Sequence, residues 1–196
     1  MKLDMHFWSS RYKNQQTSWD IGYASPPIVY YFNQLDNKNI KILIPGCGNA
    51  YEAEHLFKNG FKNVYILDFV AEILDDFTKK IPEFPKSNII NQDFFKLEDQ
   101  FDIIIEQTFF CALSPDQRDN YVTKMSTLLK PSGKLIGLFF NRVFEKNGPP
   151  FGGTREEYFH LFQPLFTIHT LEKCYNSIPA RADNELFFIF ELHRYN

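Results

Sequence analysis

A chain of 196 residues with 24 acidic and 21 basic side chains has a formal net charge of −3, and that balance marks no binder of nucleic acid. Three scattered cysteines, Cys47, Cys111 and Cys174, fit neither a disulfide framework nor a zinc knuckle and suit a reducing cytoplasm. With no charged-then-apolar leader, no run of membrane-spanning length and no metal-ligand spacing among five histidines, neither membrane nor metal is expected. The expectation is one domain over 1–196, monomeric, acting on a small molecule.

The first 39 residues are rich in aromatics: Phe7, Trp8, Tyr12, Trp19, Tyr23, Tyr30, Tyr31 and Phe32. Ser25-Pro26-Pro27 reads as a helix start, because proline is tolerated in a first turn, with the helix running over Ile28 to Leu35. Tyr30 to Phe32 reads as a face packed on the domain. Trp8 and Tyr12, four apart, share one side of a helix.

The chain is organised around Lys41 to Asp68. Ile42, Leu43 and Ile44 form a short buried strand, Pro45-Gly46-Cys47-Gly48-Asn49-Ala50 a turn, and Ala53 to Phe57 the start of a helix. A second strand, Val64 to Leu67, ends on Asp68, twenty positions beyond Gly48. Such a unit brings backbone close to a ligand at its glycines and offers a helix N-terminus and an acid for a ribose hydroxyl. A nucleoside-containing cofactor is therefore expected. Tyr51 stands where a dinucleotide fingerprint has its third glycine, and Gly133-Lys134 is followed by Leu135, so neither a nicotinamide site nor a P-loop fits. Gly46-x-Gly48-x-Ala50 instead looks like the S-adenosylmethionine site of class I methyltransferases. A tight turn in a purely structural unit is the alternative.

Further along, Ala71 to Lys80 reads as a helix stopped near Pro82 and Pro85, and Asn88 to Asn91 as a short strand leading to Asp93. Asp93 could simply cap a turn. Phe101 to Glu106 is the clearest central strand, nearly continuous in apolar residues, and in open α/β sheets ligands gather where such a strand ends, here at Gln107. Ser114-Pro115-Asp116 opens a helix to Leu129, with Lys130-Pro131-Ser132-Gly133 as its stop and turn. Lys134 to Phe140 is the fifth strand. A Pro/Gly-rich loop covers Phe144 to Phe151, and Thr154-x-x-Glu157 is a capping box for a helix to Phe162. Phe166 to Glu172 and Leu186 to Leu192 form a final hairpin-like pair around the long connection Cys174 to Asp183. Strands alternating with helices argue a mostly parallel sheet with a late antiparallel strand.

Five separated segments carry a resemblance. They are Trp8-x-x-x-Tyr12 with Trp19-Asp20-x-Gly22, Pro45-x-Cys47-Gly48 with Asp68, Gln92-Asp93-Phe94-Phe95, Gln107 to Ala112, and Gly148-Pro149-Pro150-Phe151 with Ser177-Ile178-Pro179-x-Arg181. Their shared order resembles the thiopurine S-methyltransferase superfamily, and within it the halide and thiol (bisulfide) methyltransferase branch. The resemblance implies a Rossmann-like class I methyltransferase sandwich with a seven-stranded sheet and residues 1–39 as a lid over the cofactor. The implied cofactor is S-adenosylmethionine, with S-adenosylhomocysteine as product. Asp68 would hold the ribose and Asp93 and Phe94 the adenine. Trp8, Tyr12 and Trp19 would cover the methionine end, where π faces suit a sulfonium cation. Gly46 would bring backbone close, with Gln107 nearby, at a position where relatives often have tyrosine.

Methyl transfer to a thiolate, bisulfide or halide asks for alignment and exclusion of water, and no dedicated base is evident in the sequence. Phe109 and Phe110 are either plain core or an apolar acceptor wall. Arg181 is either a solvated surface charge or an electropositive guide for a small anion. Cys111 receives no role. A nucleic-acid methyltransferase would want a basic face, and a non-catalytic S-adenosylmethionine-binding module is the remaining alternative. Within the enzyme reading, a thiopurine-like aromatic thiol is the other acceptor.

Overall fold

The computed structural model describes residues 2–145 and 147–193. Seven strands form one sheet in the order β3-β2-β1-β4-β5-β7-β6. In chain order these are β1 (Ile42–Pro45), β2 (Val64–Asp68), β3 (Ile89–Asn91), β4 (Phe101–Gln107), β5 (Leu129–Phe140), β6 (Phe166–Lys173) and β7 (Glu185–Leu192). The central strands read as apolar runs because both of their faces are covered. Ile42, Leu43 and Ile44 are all buried, Leu43 on one side of the sheet and its two neighbours on the other. β1 pairs in parallel with β2 and β4, and β4 with β5, while β7 runs antiparallel to both β5 and β6. This is the class I methyltransferase arrangement implied above.

The helices are α1 (Met5–Lys13), α2 (Pro26–Asn33), α3 (Tyr51–Lys58), α4 (Ala71–Lys80), α5 (Arg118–Leu128) and α6 (Arg155–Phe162). α4 has the bounds read from the sequence. At α6 the capping box is made in full, Thr154 accepting from Glu157 N and Glu157 from Thr154 N. α2 stops two residues short of Leu35, and α3 begins two residues before Ala53, on Ala50 in the left-handed region. Lys130-Pro131-Ser132-Gly133 is not a free turn. β5 already pairs through Leu129 with Phe101, and pairing resumes at Lys134 with Ile103, so the four residues bulge out of a continuous strand. Ser132, at φ +62°, absorbs the reversal. Among the described residues no helix is long and apolar enough to cross a membrane.

Candidate active site

At the carboxyl ends of β1, β2, β4 and β5 the sheet opens on a cavity of about 400 Å³. The turn from β1 to α3 floors one half. Gly46 has φ +56°, and a Cβ there would lie 2.2 Å from Cδ2 of Phe109, so the glycine is required by a protein ring. Asp68, the last residue of β2, is 5% exposed and accepts from Val70 N at 3.0 Å and Gly48 N at 3.3 Å. Burial outweighs those bonds and pushes its carboxyl up to about 6.

Residues before α2 roof this half. Trp19 meets Trp8 and Tyr12 edge-to-face, with ring centroids 5.4 and 5.7 Å away. Polar ties from several elements hold the roof down. Asp20 accepts from Asn49 Nδ2 and from the Tyr51 hydroxyl, the latter at 3.3 Å. Glu52, buried on α3, accepts from Ser25 N at 2.9 Å. Arg181 donates to the Trp19 carbonyl at 2.6 Å.

The other half lies beyond β4 and β5, where Phe109, Ala112, Leu113, Phe140, Pro149 and Pro150 supply an apolar lining. Phe151 N donates to Cys111 O at 2.7 Å and ties the proline loop to this wall. Gln107 also lines the cavity, and its Oε1 is buried with no hydrogen-bond partner. A buried acceptor left open in this way asks for a donor from outside the chain. An aromatic roof, a ribose-type acid and an orphaned acceptor together fit S-adenosylmethionine.

Trp8, Tyr12, Trp19, Gly46, Asp68 and Gln107 thus converge on one cavity. Asp93 and Phe94 lie outside its lining. Asp93 accepts from Phe95 N at 2.9 Å and caps a short turn, and Phe94 is buried against Phe109 at 5.1 Å between centroids. The aromatic beside Asp68 in the lining is Phe69, which sequence reasoning passed over although it directly follows the acid. Phe109 is wall. Phe110, 1% exposed, is core, packed on Tyr121, Phe139, Tyr158 and Phe162. Arg181 is no solvated surface charge: it is 9% exposed and paired with Glu185 at 3.3 Å. Cys111 is buried, donates to Thr108 O at 3.3 Å, and has its thiol pKa driven far up by burial, so it is no thiolate at neutral pH.

A Burkholderia thailandensis 1,6-didemethyltoxoflavin-N1-methyltransferase, solved with S-adenosylhomocysteine, superposes with a TM-score of 0.78 at 16% identity, covering 98% of this chain and 88% of that one. The fold is therefore that of class I S-adenosylmethionine-dependent methyltransferases. The sequence model of the thiopurine S-methyltransferase family matches residues 3–188, and the chain belongs to that family. An Arabidopsis thaliana protein named "Probable thiol methyltransferase 2" is 32% identical over 163 residues, 81% of this chain and 72% of that protein. "Thiocyanate methyltransferase 1" of the same plant is 27% identical over 184 residues, 91% of this chain and 81% of that protein.

Asp68 is expected to set a pH dependence. On the ribose-binding reading, a hydroxyl donating to it favours the ionised form, so binding would release a proton below about pH 6. Affinity for S-adenosylhomocysteine is expected to be flat above that pH and to fall as pH drops below it, which calorimetry across the range checks. Asp68→Ala should cost about 1.5–3 kcal/mol of that affinity, the size of a lost hydrogen bond to a charged group. Stability without ligand should change little, because the raised carboxyl pKa already works against the folded state as pH rises. A collapse of stability with affinity intact would make Asp68 structural.

Proposed function

We propose that this methyltransferase transfers a methyl group to a small soft nucleophile, a thiol, bisulfide or halide. The observation that carries the reading is the acceptor half of the cavity, lined by Phe109, Leu113, Phe140, Pro149 and Pro150 together with Arg142 and Arg181, with no histidine in the lining among the described residues. When bound, S-adenosylmethionine supplies an electrophilic methyl and a neutral thioether leaving group, so an anionic acceptor needs no base. Phe109, Phe140 and the two prolines strip water from the entering anion and leave it more reactive. The roof residues Trp8, Tyr12 and Trp19 cover this half of the cavity and face the sulfonium with aromatic rings. Gln107 offers its open acceptor to the bound ligand. The names of the plant relatives support the same acceptor class. Three free thiols suit a reducing cytoplasm as the place of action.

An acceptor panel of sulfide, thiocyanate, iodide, thiophenol and a thiopurine, scored by S-adenosylhomocysteine release, tests the reading. Sulfide or a halide should lead. Preference for the thiopurine returns the chain to the aromatic-thiol alternative. Calorimetric binding of S-adenosylhomocysteine, without NAD binding and without turnover of any acceptor, would leave a binding module.

A further inference from the structure

Behind the acceptor wall sits a carboxylate with no accessible surface, Glu106, next to last in β4. Its Oε1 accepts from both Phe109 N and Phe110 N, each at 2.8 Å, and its Oε2 accepts from the Tyr121 hydroxyl at 2.5 Å. Those two backbone donors belong to the turn that leaves β4, where Thr108 stands at φ +60°. Left-handed backbone at a β-branched residue is strained and persists only where its surroundings fix it. One charged oxygen taking two consecutive N–H groups does so. The same turn carries Phe109, Cys111 and Ala112, all in the lining, whereas Glu106 is not in it.

We propose that Glu106 is the positioning residue of the acceptor space: touching neither acceptor nor cofactor, it fixes the Thr108–Ala112 turn against which the acceptor is held. This rests on the methyl-transfer reading of the cavity.

The position also couples the turn to charge. Burial pushes the Glu106 carboxyl up to about 7, its bonds to Tyr121, Phe110 and Phe109 opposing. Tyr121 faces it from α5, Cys111 from its own turn and Tyr158 from α6. Glu185 of β7 shares a small void with Glu106, Thr108, Cys111 and Tyr158, and is itself bonded to Arg181. Arg118 of α5 stacks on the Phe110 ring at 4.8 Å and is not bonded to Glu106. When Glu106 protonates on Oε2, its O–H donates to the Tyr121 oxygen and the Tyr121 hydroxyl hydrogen turns away from the carboxyl, while Oε1 keeps both backbone donors. A negative charge behind the wall then vanishes. An anionic acceptor and a proton on Glu106 therefore favour each other, by reciprocal linkage.

Iodide tests this cleanly, because its own charge does not change with pH. At saturating cofactor, the wild-type KM for iodide is expected to rise about fivefold between roughly pH 6 and pH 8. Glu106→Gln keeps an oxygen for the two N–H groups and should make that KM flat with pH. Glu106→Ala leaves both N–H groups without a partner and should raise the acceptor KM while S-adenosylhomocysteine affinity, measured by calorimetry, stays within about twofold. A pH dependence that survives in the Gln variant belongs to another group, Glu185 first, and overturns the proposal. Equal losses of cofactor affinity and acceptor KM in the Ala variant also overturn it, as a structural effect. If the wild type turns over no acceptor, the methyl-transfer reading fails separately. Calorimetric titration of iodide into the S-adenosylhomocysteine complex across the same pH range then decides the role of Glu106.

Discussion

Arg181→Ala is expected to lower folding stability by about 3–5 kcal/mol, because it strands a buried carboxylate. Glu185 is 3% exposed and its guanidinium partner lies 3.3 Å away. The same substitution removes the donor to the Trp19 carbonyl and the cation 5.5 Å over the Phe140 ring, loosening the roof. Burial already raises the Glu185 carboxyl pKa, with Arg181 opposing, so losing the arginine raises it further. The variant should therefore recover stability as pH falls and Glu185 protonates, and adding Glu185→Gln should restore much of it at neutral pH. Denaturant unfolding of the two variants at two pH values checks this. Since Glu185 balances the charge of Arg181, kcat/KM should fall by similar factors for anionic and neutral acceptors. A loss confined to bisulfide and iodide would instead make Arg181 the guide for the incoming anion.

Gly46→Ala should be nearly as costly. Its φ of +56° imposes about 1–3 kcal/mol of strain on alanine, and the new methyl would sit 2.2 Å from the Phe109 ring. Phe94 at 5.1 Å and Tyr121 at 6.1 Å pack against that ring and oppose its retreat. Overpacking adds about 1–3 kcal/mol, for a total of about 2–6 kcal/mol. Gly46→Ala/Phe109→Ala relieves the clash but not the strain, so the two substitutions should couple strongly when their melting temperatures are compared. Additive losses would mean that Phe109 does not press on the turn.

The elements legible in the sequence are those whose cause is local. Phe101 to Glu106 announces a doubly covered strand by composition alone, and Thr154-x-x-Glu157 makes its helix start from its own side chains. Asp68 and Gly46 reach the cavity because a strand, a turn and a strand of fixed geometry carry them there. Other features depend on contacts between distant segments. Nothing near Glu52 signals that its carboxylate meets Ser25 N, and nothing near Arg181 signals Trp19. Lys130 to Gly133 carries ordinary turn chemistry, yet β4 pairs on either side of it and converts a turn into a bulge. Asp93 illustrates the reverse case, a residue prominent by motif whose observed bond is a local cap.

The two tryptophans of the chain, Trp8 and Trp19, both lie in the roof and touch each other. Red-edge excitation of the protein's intrinsic emission therefore interrogates that one segment and is blind to the sheet beneath it. The molecule carries its own optical probe of that segment, with no label to attach. Stopped-flow mixing with a ligand would read any change in the surroundings of the roof on a channel separate from the tyrosines of the core. A spectral change without any loss of secondary structure would then mark motion of the cover alone.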